Sequence, residues 1–265
     1  MFYLQGMALE NILLYRFALS LLCIVIMSAI FSQSLFLTKI DLIGGAALCC
    51  YYCLATTAFA LSSMIDVAFI VSTTPLFVMT VQWLRGSPPT PSQVVGAVLA
   101  SIGTVLVISG AYEQSNKLPG NHSLFGLLCA LGAALTMSGV TLISTSKQAN
   151  AISVNFWAFL FGALASTVLV ISNNTLFSRS LFFPSHQQWL VLTGMALLST
   201  LTAGMVYKQA CQLSGSTTAA IIRLSTPLFA ALLSWVFLGQ GMSLLHGIGA
   251  PFVLAGIYLV VIGPA

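Results

Sequence analysis

A proline-centred tetrapeptide stands twice in this chain, each time inside a long apolar segment: Thr74-Pro75-Leu76-Phe77 and Thr226-Pro227-Leu228-Phe229. The prolines are 152 residues apart, a tryptophan follows each at the same distance (Trp83 and Trp235), and upstream Leu61-Ser62 matches Leu213-Ser214 at that offset. Glycines at seven-residue spacing follow both copies, Gly96, Gly103 and Gly110 after the first and Gly249, Gly256 and Gly263 after the second. Their offset is 153, so the turn between motif and glycines has gained one residue. The chain reads as a duplicated unit carried by apolar segments.

Of the 265 residues, 58% are hydrophobic and 5% charged, far outside the soluble globular range. Nine stretches are each long enough to cross a hydrocarbon core as a helix, at about 11–31, 42–62, 65–84, 93–111, 123–143, 152–172, 187–207, 217–238 and 244–263. The runs are continuous and lack the two-residue alternation of barrel strands, so the expected fold class is an all-α, multi-spanning membrane bundle. The N-terminus lacks a basic region ahead of its first apolar run, which argues against a cleaved signal. Eight basic and four acidic residues are scattered singly, and no basic patch suggests nucleic acid. Cys50-Tyr51-Tyr52-Cys53 spells a C-x-x-C, but no second pair or nearby histidine accompanies it, so the cysteines read as apolar filler.

The first motif lies in the third span and the second in the eighth. Five spans is an odd number, so the copies cross the membrane in opposite senses, and the chain is expected to be an inverted repeat of five-helix units. Residues 1–113 form the first repeat and 122–265 the second. The first repeat shows only four spans, which implies a missing first helix ahead of Met1 through a misplaced start or natural shortening. A mid-helix proline removes one backbone hydrogen bond. In lipid the freed carbonyl must be satisfied locally, and the hydroxyls of Thr73, Thr74, Ser225 and Thr226 stand where they can bond back. Lys39, Arg85, Lys147 and Lys208 fall at connections on one side, Lys117 and Arg179 on the other, which places the C-terminus in the cytoplasm.

No metal-binding, P-loop or nucleophile signature occurs, so enzyme chemistry, a metal and a cofactor are not expected. None of the four acids lies near a span centre, which disfavours a proton- or sodium-coupled carboxylate mechanism. Arg223 stands about six residues into its span, one turn before Pro227, where it could read a carboxylate or phosphate; a stem snorkelling to the surface is the other reading. Arg16 is nearer its span end and is expected to snorkel or meet lipid phosphate. Tyr51 and Tyr52 could line a cavity with aromatic faces and hydroxyls, and the glycine series read as a packing seam.

This combination resembles the EamA-type members of the drug/metabolite transporter superfamily, which have ten helices in two inverted halves. The resemblance rests on the Thr-Pro motifs, the glycine-punctuated helices after them, the short turn between, and Tyr15-Arg16-Phe17 as the opening of a second helix. It covers the chain from about Asn11 to the end. Two departures stand out. Arg85-Gly86 and Gly239-Gln240 replace the Gly-Glu pair common in such halves, and the first helix is absent. The resemblance implies a metabolite transporter with a central cavity, moving amino acids or related zwitterionic solutes by export or exchange. Thr73, Thr74, Pro75, Arg223, Ser225, Thr226, Pro227, Tyr51 and Tyr52 are the expected substrate contacts. Expected partners are a small-molecule substrate, the lipid bilayer and a second copy of the chain as a homodimer, in the cell membrane. A transport-inactive, truncated scaffold or regulatory subunit is the alternative.

Overall fold

The computed structural model describes residues 9–30, 38–62, 64–114, 124–177, 184–238 and 241–262. Every regular element among them is helical. Among the described residues, eight helical segments are long and apolar enough to cross a membrane. The seventh expected stretch, 187–207, is broken into α8 (His186–Gly194), a π-helical turn (Met195–Thr202) and α9 (Ala203–Ser214). Wide turns of this kind cluster at functional sites in helical proteins.

Polar start signals set several helix ends. Thr38-x-x-Asp41 opens α2 (Lys39–Leu61) and Thr90-x-x-Gln93 opens α5 (Pro91–Gln114), with Thr38 and Thr90 hydroxyls accepting from backbone N–H groups three residues on at 3.1 and 3.3 Å. Ser185-x-x-Gln188 forms a full capping box at α8. After the first motif, α4 (Thr74–Leu84) closes on Gly86, whose φ of 85° only glycine adopts without strain. The N–H groups of Gly86 and Ser87 donate to the carbonyls of Trp83 and Gln82 at 2.9 and 3.0 Å. This glycine-terminated end closes the turn without the glutamate that the family pattern carries. The second copy, Gly239-Gln240, lies outside the described residues.

The described chain divides into two compact units, one from the residues up to Cys53 with Ile143–Ala210, the other from Leu54–Leu142 with Cys211 onward. In the second unit the core is the α5 pairing with α12 (Leu244–Ile262). A β-carbon on Gly103 would stand 2.6 Å from the Gly249 carbonyl oxygen and the Val253 nitrogen, and one on Gly96 would stand 2.6 Å from the Gly256 oxygen. The helices therefore run antiparallel with backbones in contact, which is how lipid-embedded helices gain dispersion energy. Gly110 ends the series against Ser243 and His246, while Gly263 lies outside the described residues. Met79, Ala97, Ala100, Ile221 and Leu224 pack beside this seam.

The first unit is built on α1 (Leu9–Ile30) against α7 (Ala151–Phe177). The fully buried Phe17 ring covers Gly162, where a β-carbon would stand 2.6 Å from ring atoms. Gly45 of α2 meets Trp157 and Ala158 of α7 in the same manner. Asp41, 1% exposed, accepts from the Thr38 hydroxyl at 2.7 Å and from the Asn150 N–H at 2.8 Å. Lys208 is 7% exposed and feels the Asp41 charge, so it is not the solvated loop cation its position suggests.

Three stability outcomes follow. Gly103→Val should cost about 1–3 kcal/mol in unfolding of the detergent-solubilised chain, because the seam cannot widen freely. Gly247→Ala, with open space at its β-position, should cost nothing measurable. Asp41→Ala should cost about 2–4 kcal/mol by stranding the Asn150 N–H and the Lys208 charge; an unchanged unfolding temperature would deny the network a structural role.

Candidate functional site: two proline-broken helices and an arginine on a tyrosine

Both motif helices are interrupted where the sequence places proline. The first divides into α3 (Met64–Ser72) and α4 at Thr73. The second divides into α10 (Ser216–Ile222), a 3-10 turn (Arg223–Ser225) and α11 (Thr226–Leu238). Proline takes away the N–H that would reach the carbonyl four residues back, which is Val71 for Pro75 and Arg223 for Pro227. The Thr74 hydroxyl donates to the Val71 oxygen at 2.6 Å, and the Thr226 hydroxyl donates to the Arg223 oxygen at 2.7 Å. The neighbouring hydroxyls repeat the pattern, Thr73 to Ile70 at 2.6 Å and Ser225 to Ile222 at 2.7 Å. Four expected contact residues thus commit their hydroxyl protons to the backbone. What they can offer a solute is acceptor lone pairs.

The next carbonyls along are served by α5. The Ser101 hydroxyl donates to the Ser72 oxygen at 3.3 Å, and the Thr104 hydroxyl lies 3.0 Å from the Leu224 oxygen and 2.7 Å from that of Ala100. Ser72 and Leu224 are equivalent under the 152-residue offset. One helix therefore braces the same point of both breaks. Gln82 of α4 makes a further tie, its side-chain amide donating to Ser216 and accepting from Thr217. Thr74 and Pro75 are buried, Thr73, Arg223, Ser225 and Pro227 are half-buried, and Thr226 is exposed.

These motif residues belong to one unit; Tyr51 and Tyr52 fall in the other. There the Arg16 guanidinium lies 4.7 Å from the centroid of the Tyr52 ring. Tyr52 is also flanked by Tyr51, centroids 5.4 Å apart, and by Phe17, edge-on at 6.1 Å. Arg16 does not snorkel as its sequence position suggests; its charge faces inward onto α2. A desolvated cation–π contact contributes about 2 kcal/mol, whereas an arginine at the bilayer centre costs about 2.5–3.5 kcal/mol on insertion scales. Five buried side-chain atoms have no hydrogen-bond partner among the described residues: Asn11 Oδ1, Ser20 Oγ, Ser153 Oγ, Asn155 Oδ1 and Trp157 Nε1. All five lie in this same unit.

Sequence reasoning missed Ser101, Thr104, Gln82 and Ser20. Only Ser101 and Thr104 carried a signal, as hydroxyls flanking Gly103 in an otherwise apolar run.

Residues 124–262 match the EamA-like transporter family. An uncharacterized transporter of Clostridium kluyveri is 26% identical over 62% of this chain and 52% of its own length. The uncharacterized transporter YetK of Bacillus subtilis is 24% identical over 73% of this chain and 58% of its own. The chain thus spans little more than half the length of these two relatives. A solved crystal structure superposes with a TM-score of 0.79 over 97% of this chain and 89% of that one, at 17% identity, which speaks to fold alone. Because the family match takes in more than half of its residues, the chain belongs to the EamA-like transporter family.

Proposed function

We propose that this chain moves small polar metabolites, amino acids and related zwitterions, across the cell membrane by alternating access, as an exporter or exchanger. The observation that carries this reading is the pair of proline breaks, each with its freed carbonyl taken by the preceding threonine. Broken helices are tolerated in hydrocarbon where they line a cavity or a protein interface, and transporters place them at the substrate site. The antiparallel α5–α12 seam and the equivalent bracing of Ser72 and Leu224 support an inverted pair of five-helix repeats. Thr73, Thr74, Ser225 and Thr226 then offer acceptors to solute ammonium or hydroxyl groups, and half-buried Arg223 offers charge at the second break. Exposed Lys39, Arg85 and Lys147 support a cytoplasmic C-terminus, while buried Lys208 adds nothing to that bias.

Counterflow of labelled amino acids into proteoliposomes tests the reading. Thr74→Val and Thr226→Val should each lower flux about tenfold, the effect of ~1.4 kcal/mol on a transport step, with membrane expression retained. Wild-type flux in both would remove the motif hydroxyls from the path. Absence of counterflow for every solute in the panel would favour a transport-inactive scaffold.

A further inference from the structure

We propose that Lys208 and Asn155 form a subsite that reads the paired carboxylate and ammonium of an α-amino acid; the inference rests on the transport reading and gives that solute class a place to bind. Both residues belong to the first unit. Lys208 is 7% exposed, yet its ammonium makes no hydrogen bond or ion pair among the described residues. Asp41 acts on it only through space, and each Asp41 carboxylate oxygen already accepts a hydrogen bond, one from the Thr38 hydroxyl and one from the Asn150 N–H. An ammonium carries three donors, and burying them without an acceptor is costly. Asn155 presents the opposite deficit. Its side-chain N–H donates to the Ala151 carbonyl at 2.8 Å, while its Oδ1, on a residue 2% exposed, has no donor among the described residues.

The fold puts these two deficits side by side. A β-carbon on Gly204 would stand 2.8 Å from Asn155 Oδ1, so the carboxamide oxygen is aimed at α9 where that helix has no side chain. Lys208 lies four residues on, on the same face of α9 and roughly 6 Å further along the helix. A donor-rich cation and a lone acceptor one turn apart match a ligand that brings an acceptor to the first and a donor to the second. The carboxylate and ammonium of an α-amino acid are joined through a single carbon, and the flexible lysine stem takes up the rest of the gap. The electrostatics suit the same ligand. Both α2 and α7 begin beside Asp41, and each helix start carries about half a positive charge. With Lys208 these outweigh the single charge of Asp41, so a second carboxylate is accommodated and a lone ammonium is not.

The unfolding temperature of the purified full chain in detergent, at constant ionic strength, tests this. Alanine, leucine and glutamine serve as zwitterions, against sodium propionate, propylammonium chloride and propionamide. At least one amino acid should raise it roughly 3–5 °C at about tenfold excess over Kd; propionate should give less than half that shift, and the amine and amide none. Lys208→Gln should abolish the amino-acid and propionate responses. Asn155→Ala should at least halve the amino-acid response and leave that to propionate unchanged, and it serves alone where the lysine variant does not fold. No amino-acid response in the wild type, the result a trapped water bridging the two groups would give, overturns the subsite. So does an amino-acid response undiminished in Asn155→Ala or in a folded Lys208→Gln chain. Counterflow separates the two readings: amino-acid flux without the thermal response keeps transport and discards this subsite, whereas a variant-sensitive response without flux does the reverse.

Discussion

In hydrocarbon a backbone carbonyl with no donor is costly, and each proline here takes the helical donor from one carbonyl, Val71 for Pro75 and Arg223 for Pro227. Water cannot reach a dry helix interior, so the donor must come from protein. The threonine next to each proline supplies it from one residue away, which keeps each break local and lets the helix resume at once. Serine and threonine hydroxyls from α5 then brace the carbonyl one position further on. A helix broken and repaired in this way has a defined bend with fewer ladder bonds to oppose movement. Under the transport reading proposed above, it would serve as a joint that exposes a site alternately to two sides.

The joint needs a rigid mount, and α5 with α12 provides it. Backbone contact at Gly96, Gly103, Gly249 and Gly256 holds the two helices at the distance of their main chains. The first unit is assembled differently, with the Phe17 ring seated on Gly162 and a buried carboxylate, Asp41, tying the starts of α2 and α7. Among the described residues, the five buried side-chain atoms without a hydrogen-bond partner all lie in this unit.

Much of this was legible in the sequence because it depends on chemistry local to the chain. Proline position, the hydroxyl before it and glycine spacing each act within a turn or two, so the breaks, their repair and the seam follow from the residues themselves. Partners across helices were not legible. Whether Arg16 reaches the surface or the Tyr52 ring depends on the rotation of α1 against α2, and uniformly apolar spans leave that rotation unmarked. Lys208 was misread for the same reason, as a loop cation, although Asp41 stands near it. The division of segment 187–207 by a π-helical turn also escaped notice, since no proline or glycine pair announces the widened turn.

The account turns on threonine replacing the N–H that proline removes. A double-mutant cycle measures that exchange: Thr226→Val in the natural chain and again in a Pro227→Ala background, read as unfolding free energy. With proline present the hydroxyl joins the Thr226 backbone N–H as a donor to the Arg223 carbonyl, in place of the helical N–H that proline lacks, and its loss should cost about 1–2 kcal/mol. With alanine at 227 the backbone N–H returns to that carbonyl, and the same substitution should cost close to nothing. Equal costs in the two backgrounds would mean that the hydroxyl is not repairing the proline break, and the central claim would fall.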